Sequence, residues 1–160
     1  MKRGICMGND KLRFETLKVE LCNKETDELI RQVSSSFLEE ALEYLKSNEN
    51  EYIFIESDEF DKIKIDGLSM ELDDLFGHYD AMFGLKLQKK YREEIVSFFE
   101  STLHGKKGYN LLFNGEDGLW DVNLSINDLP SYHSNMTLKE AVEEVYSYLS
   151  GLLEKVSGKK

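Results

Sequence analysis

Asp73, Asp74, His78 and Asp80 place three carboxylates and one imidazole within eight residues. These are the donor types that bind divalent cations or move protons. Asp74 and His78 stand four apart, so on a helix they would share a face, with Asp73 and Asp80 close by. Asp74 and His78 are therefore the candidate metal ligands. The spacing matches neither H-E-x-x-H nor a D-x-D-x-D-G calcium loop, and an exposed i,i+4 charge pair is the plain alternative. "NGEDG" (114–118) offers Asn114, Glu116 and Asp117 as oxygen ligands, but Asp-Gly between two strand-like runs is first a turn signature.

Elsewhere the chemistry is sparse. His104 and His133 stand outside any Cys-His or Ser-His nucleophile frame. "GKKG" (105–108) lacks the rest of a P-loop and follows a helical pattern instead of a strand. No G-x-G-x-x-G or G-x-S-x-G occurs. No catalytic residue is nominated, no cofactor is called for, and the chain reads as non-enzymatic.

Charge is the stronger feature. The chain carries 31 Asp and Glu against 20 Lys and Arg, for a net charge of −11. Residues 51–80 hold ten of the acids and only two lysines, leaving 21 acids and 18 bases for everything else. The negative field is therefore local. It disfavours direct binding to nucleic-acid phosphates and favours a basic protein partner. The contact candidates are Glu56, Asp58, Glu59, Asp61, Asp73, Asp74 and Asp80. A merely solubilising surface is the bland counterpart.

The elements that would position these groups follow from periodicity. Residues 11–22 alternate, with a phase slip at Thr16–Leu17, and "LIRQV" (29–33) returns as a partner strand. Ser36 and Glu39 form a capping-box pattern that opens a helix over 36–47. "YIFIE" (52–56) reads as a central strand and 62–66, around Ile63 and Ile65, as its partner. Leu72, Leu75, Phe76, Tyr79, Met82 and Phe83 then fit one helical face, and a firmer helix spans 89–104. "YNLLF" (109–113) and "LWDVNLSI" (119–126) form a hairpin, with Asp121, Asn123 and Ser125 on its polar face. Thr137 and Glu140 form a second capping box before a long helix carrying an apolar stripe from Leu138 to Val156.

The fold class is α+β: an antiparallel sheet of about six strands in ββα-like units, with three to four helices packed mainly on one face. One domain is expected over 1–160, frayed at 1–9 and 157–160. The two cysteines, Cys6 and Cys22, make no disulfide framework and read as free thiols. No signal peptide, membrane span or myristoylation pattern is present, so a cytoplasmic setting and no membrane partner are expected.

In size, acidity and ββα content the chain is similar to small acidic α+β immunity proteins. That similarity carries no residue assignments. It implies a non-enzymatic inhibitor whose acidic surface neutralises a basic toxin or nuclease. The alternatives are a phage-type DNA-mimic inhibitor of a defence protein and a divalent-metal-dependent enzyme. The protein would be a monomer, or a homodimer joined through the 137–156 helix.

Overall fold

Side chains on a β-strand alternate between two faces, and here that alternation sorts apolar from polar residues across a whole sheet. The computed structural model describes residues 13, 16–103 and 109–158. Leu12, Phe14, Cys6, His104, the 105–108 run and the expected fraying at 1–9 lie outside these residues.

The strands are β1 (Lys18–Asn23), β2 (Leu29–Val33), β3 (Glu51–Glu56), β4 (Leu68–Leu72), β5 (Tyr79–Leu85), β6 (Tyr109–Asn114) and β7 (Leu119–Ser125). They form one seven-stranded sheet in the order β2-β1-β3-β4-β5-β7-β6, with every neighbouring pair antiparallel. The sheet thus has one strand more than expected. Val19, Leu21, Ile53, Ile55, Met70, Ala81, Phe83, Val122 and Leu124 alternate onto one face and are buried. The remaining positions, among them Lys18, Glu20, Glu56, Ser69, Glu71, Met82, Asp121 and Asn123, point to the other.

Helices cover the apolar face. A one-turn helix α1 (Tyr44–Ser47) is followed by α2 (Arg92–Thr102) and the long α3 (Leu138–Gly158). Ile95 and Phe99 of α2 are fully buried, as are Leu138, Val142, Leu149 and Leu152 of α3. The two helices meet where the Phe98 and Tyr148 rings lie 4.9 Å apart and Thr102 Oγ1 sits 2.6 Å from the Tyr148 hydroxyl. The apolar stripe of α3 is buried against the rest of the chain. The tail expected to fray from residue 157 is helical through Gly158.

Three local expectations change. The stretch 68–83 is a hairpin, not a helix. Asp73 Oδ1 accepts hydrogen bonds from the backbone N–H of Leu75 (2.8 Å) and Phe76 (3.2 Å). Gly77 adopts φ +75°, open to glycine without strain, and closes the turn through its N–H to the Asp73 carbonyl at 2.8 Å. Leu75 and Phe76, assigned to a buried helical face, sit on the turn at 80% and 70% exposure.

The strand expected over 62–66 is also absent. Asp58–Ile63 is a 3₁₀ helix capped by Ser57 Oγ, which accepts the Glu59 N–H at 3.0 Å. Lys64 then turns left-handed, and Ile65 keeps one bridge to Leu85. Finally, the 36–47 helix reduces to a 3₁₀ turn over Ser35–Glu39 followed by α1. Ser36 Oγ bonds Ser34 Oγ at 2.6 Å instead of capping. The Leu42 N–H bonds the Met136 carbonyl and the Glu40 carbonyl takes the Leu138 N–H, so tertiary pairing pulls the chain out of helical geometry.

The second capping box forms as read. Thr137 Oγ1 accepts the Glu140 N–H at 3.0 Å, and Glu140 Oε1 accepts the Thr137 N–H at 2.9 Å. Thr137→Ala should lower stability by about 1 kcal/mol in urea denaturation, without a change in the slope of the transition.

Candidate functional site

No helix crosses the polar face of the sheet among the described residues. Three adjoining depressions run over it instead. The central one, about 660 Å³, has a floor of Phe54, Met82 and Leu112 and a rim of Glu56, Asp66 and Asp121. It is open partly because Gly67 and Gly84 bring no side chains to it. A second depression of about 450 Å³ shares Glu56 and Asp66 with the first and adds Lys18, Asp58 and Asp61. A third, about 200 Å³, shares Asn110 and Asn123 with the central one and holds Asp73, His78, Asp80 and Ser125.

Asp66 marks the junction of the first two. Its Oδ1 accepts the N–H of Gly67 at 2.7 Å and of Gly84 at 2.8 Å. A Cβ on Gly84 would lie 2.5 Å from Asp66 Oδ2 and 3.0 Å from Leu119 Cδ1. Only glycine lets the carboxylate sit this close to β5.

Five of the seven nominated contact residues line this track: Glu56, Asp58, Asp61, Asp73 and Asp80. Asp74 is exposed on the β4–β5 turn, where Lys24 Nζ lies 3.1 Å from its Oδ1. Glu59 is a correction. Its side chain is 4% exposed and accepts from Arg13 at 2.7 Å and Lys62 at 3.1 Å. The capped 3₁₀ turn places it inward between Asp58 and Asp61, so it anchors the segment and presents no charge outward. Asp66, Asp121, Phe54, Met82 and Leu112 join the track without having been nominated. Strand alternation on β7 had already put Asp121 on the polar face; Asp66 depends on the close approach of two segments.

The metal-ligand pair changes partner. Because 73–78 is a turn and not a helix, Asp74 does not share a face with His78. His78 Nε2 lies instead 3.0 Å from Asp80 Oδ1 and 3.5 Å from Asp73 Oδ2. The Asn114, Glu116 and Asp117 group is a turn: Asn114 Oδ1 accepts the Glu116 and Asp117 N–H groups, and its amide donates to Asp117 Oδ2.

Electrostatics differ along the track. Burial, reinforced by the Asp73 carboxylate, raises the Asp80 carboxyl above its usual range, with His78 opposing the shift. Burial also raises Glu71, the direct cross-strand neighbour of Asp80. At Asp73 burial acts upward too, but the Leu75 and Phe76 N–H groups and His78 outweigh it and the carboxyl titrates low. Glu59 is lowered mainly by its hydrogen bonds from Arg13, with Lys62 adding to the effect against burial.

No family model, curated protein or solved structure matches the chain.

Two outcomes follow. Gly84→Ala should displace Asp66 from both N–H groups and destabilise the protein by about 1–3 kcal/mol, measured by chemical denaturation. Glu59→Gln should remove a carboxylate whose folded-state pKa lies below its unfolded value. That carboxylate stabilises the fold above the unfolded pKa, and the contribution disappears as pH falls through the folded one. The wild-type protein should therefore lose stability to acid below the usual carboxylate range more steeply than Glu59→Gln, and at neutral pH the variant should be weaker by about 2 kcal/mol.

Proposed function

We propose that the protein is a non-enzymatic binding protein that holds a basic protein partner against the open face of its sheet. The observation that carries this reading is the joining of the first two depressions. Exposed Glu56, Asp58, Asp61, Asp66 and Asp121 surround an apolar floor of Phe54, Met82 and Leu112, the last 68% exposed. An apolar centre with a charged rim is the anatomy of a protein–protein contact. Carboxylates of one sign around it steer a cationic partner and select against acidic ones. Lys18, opposite Glu56 in the register, is the one lysine or arginine lining the track among the described residues.

A neutraliser of a basic toxin or nuclease is the form of this reading that size and acidity support. The acidic face would cover the cationic surface with which such a partner grips its own anionic substrate. Affinity would come from the apolar floor, and choice of partner from the rim.

The test starts with a photo-crosslinking amino acid at Leu112 in the native host, where the captured partner should be a basic protein. With that partner purified, the variant carrying Glu56→Lys, Asp58→Lys and Asp61→Lys should bind at least about tenfold more weakly, mainly through a slower on-rate. Raising salt should narrow the gap between variant and wild type. All three positions are exposed, so the circular dichroism spectrum should be unchanged. Unchanged affinity in the folded variant, or an acidic partner at Leu112, would overturn the reading.

A further inference from the structure

The third depression carries chemistry that the binding surface does not use. Asp73 Oδ2, Asp80 Oδ1 and His78 Nε2 converge there, with one ligand atom from each residue lying within 4.8 Å of the others. The imidazole is 9% exposed and the Asp80 side chain 12%. Two features of the fold bring them together. His78 immediately precedes β5 and stands two before Asp80 within it, while the turn folds Asp73 back so that its N–H bonds the His78 carbonyl at 2.8 Å.

A cluster of acids and one histidine can satisfy itself as a charge pair. Ser125 gives an independent indication. It is the direct cross-strand partner of Asp80, is 2% exposed and lines the same cavity, yet its Oγ has no hydrogen-bond partner among the described residues. Buried hydroxyls are ordinarily satisfied, and an orphan beside two carboxylates and an imidazole marks a missing donor or acceptor. In tetrahedral coordination with bonds of about 2.0–2.1 Å, neighbouring ligand atoms are about 3.3–3.4 Å apart. The observed separations of 3.0 and 3.5 Å from Nε2 to the two carboxylates bracket that edge.

We propose that Asp73, His78 and Asp80 form a binding site for a divalent transition-metal ion, with Ser125 Oγ holding the water in the fourth position. One imidazole with two carboxylates suits Zn²⁺, Mn²⁺ or Fe²⁺; Ca²⁺ and Mg²⁺ favour all-oxygen sets. Phe76 and Asn110 line the same depression.

The experiment titrates the full chain with Zn²⁺ and with Mn²⁺, using calorimetry for the first and proton NMR for the second. One Zn²⁺ per chain should bind, at least about tenfold more weakly in Asp73→Asn and in His78→Gln. Asp73→Asn keeps an oxygen for the turn, and circular dichroism checks that each variant is folded. Ser125→Ala should weaken binding by a smaller factor. In the wild-type protein Mn²⁺ should broaden the His78 imidazole signals at one equivalent while leaving His133 sharp. Three results would overturn the proposal: no stoichiometric Zn²⁺ binding, Zn²⁺ affinity unchanged in a folded His78→Gln variant, or Mn²⁺ broadening at Asp58 and Asp61 with His78 untouched. The last would mark diffuse attraction of cations to the acidic face.

Discussion

One constraint organises this molecule: a seven-stranded antiparallel sheet buries only one of its faces. Two helices, α2 and α3, lie on the apolar side and take Ile95, Phe99, Val142 and Leu149 out of water with Ile53, Met70 and Leu124. Each strand adds to that layer with a period of two, so every second residue is forced onto the other side. Strand alternation places Glu56 of β3, Asp80 of β5 and Asp121 of β7 on the uncovered face, where they avoid the large desolvation penalty of the apolar core. Concentration of charge there is a geometric consequence of strand register acting on an acid-rich segment.

The parts of the fold legible in the sequence were those where local periodicity and tertiary demand agree. Trp120, Val122 and Leu124 alternate with Asp121 and Asn123, and β7 follows. Thr137 and Glu140 read as a capping box and form one. The reading failed between 57 and 83, where both periods fit. Leu72, Tyr79, Met82 and Phe83 satisfy a helical face, but Leu72, Tyr79 and Phe83 equally satisfy one face of two strands. What decides between them is the pair of N–H groups held by Asp73 and the positive φ of Gly77, both of which are turn chemistry. The helix expected at 36–47 failed for a different reason. Its backbone groups pair with residues near 136–138, a partner nearly a hundred positions away that local patterning does not reveal.

The site shows the same division. Glu56, Asp58 and Asp61 were legible as surface charge because acids in a strand end and a turn have little choice but solvent. Glu59 was not, because its fate depends on Arg13, forty-six residues earlier, reaching across to its carboxylate. Asp74 and His78 looked paired on helical spacing; once the segment is a hairpin, the i,i+2 relation of His78 to Asp80 replaces the i,i+4 relation, and Asp73 enters from the turn. A changed secondary structure therefore changed the ligand set while leaving the region unchanged.

The acids along the track are not equivalent. Asp58 and Asp61 are exposed, so a partner that displaces their water must supply cations in return. Asp80 and Glu71 are direct cross-strand neighbours on β4 and β5, and burial is the main reason both hold their protons more tightly than usual, with Asp73 adding to the effect at Asp80 and Asp80 adding to it at Glu71. A positive charge at that end meets groups whose desolvation the fold has already imposed, and little further water must be removed to reach them. At the Glu56–Asp58–Asp61 end the same charge must first strip a hydration shell. A small ion is therefore best accommodated among Asp73, His78 and Asp80, whereas for the proposed basic partner apolar contacts with Phe54, Met82 and Leu112 would offset the water lost at the exposed acids.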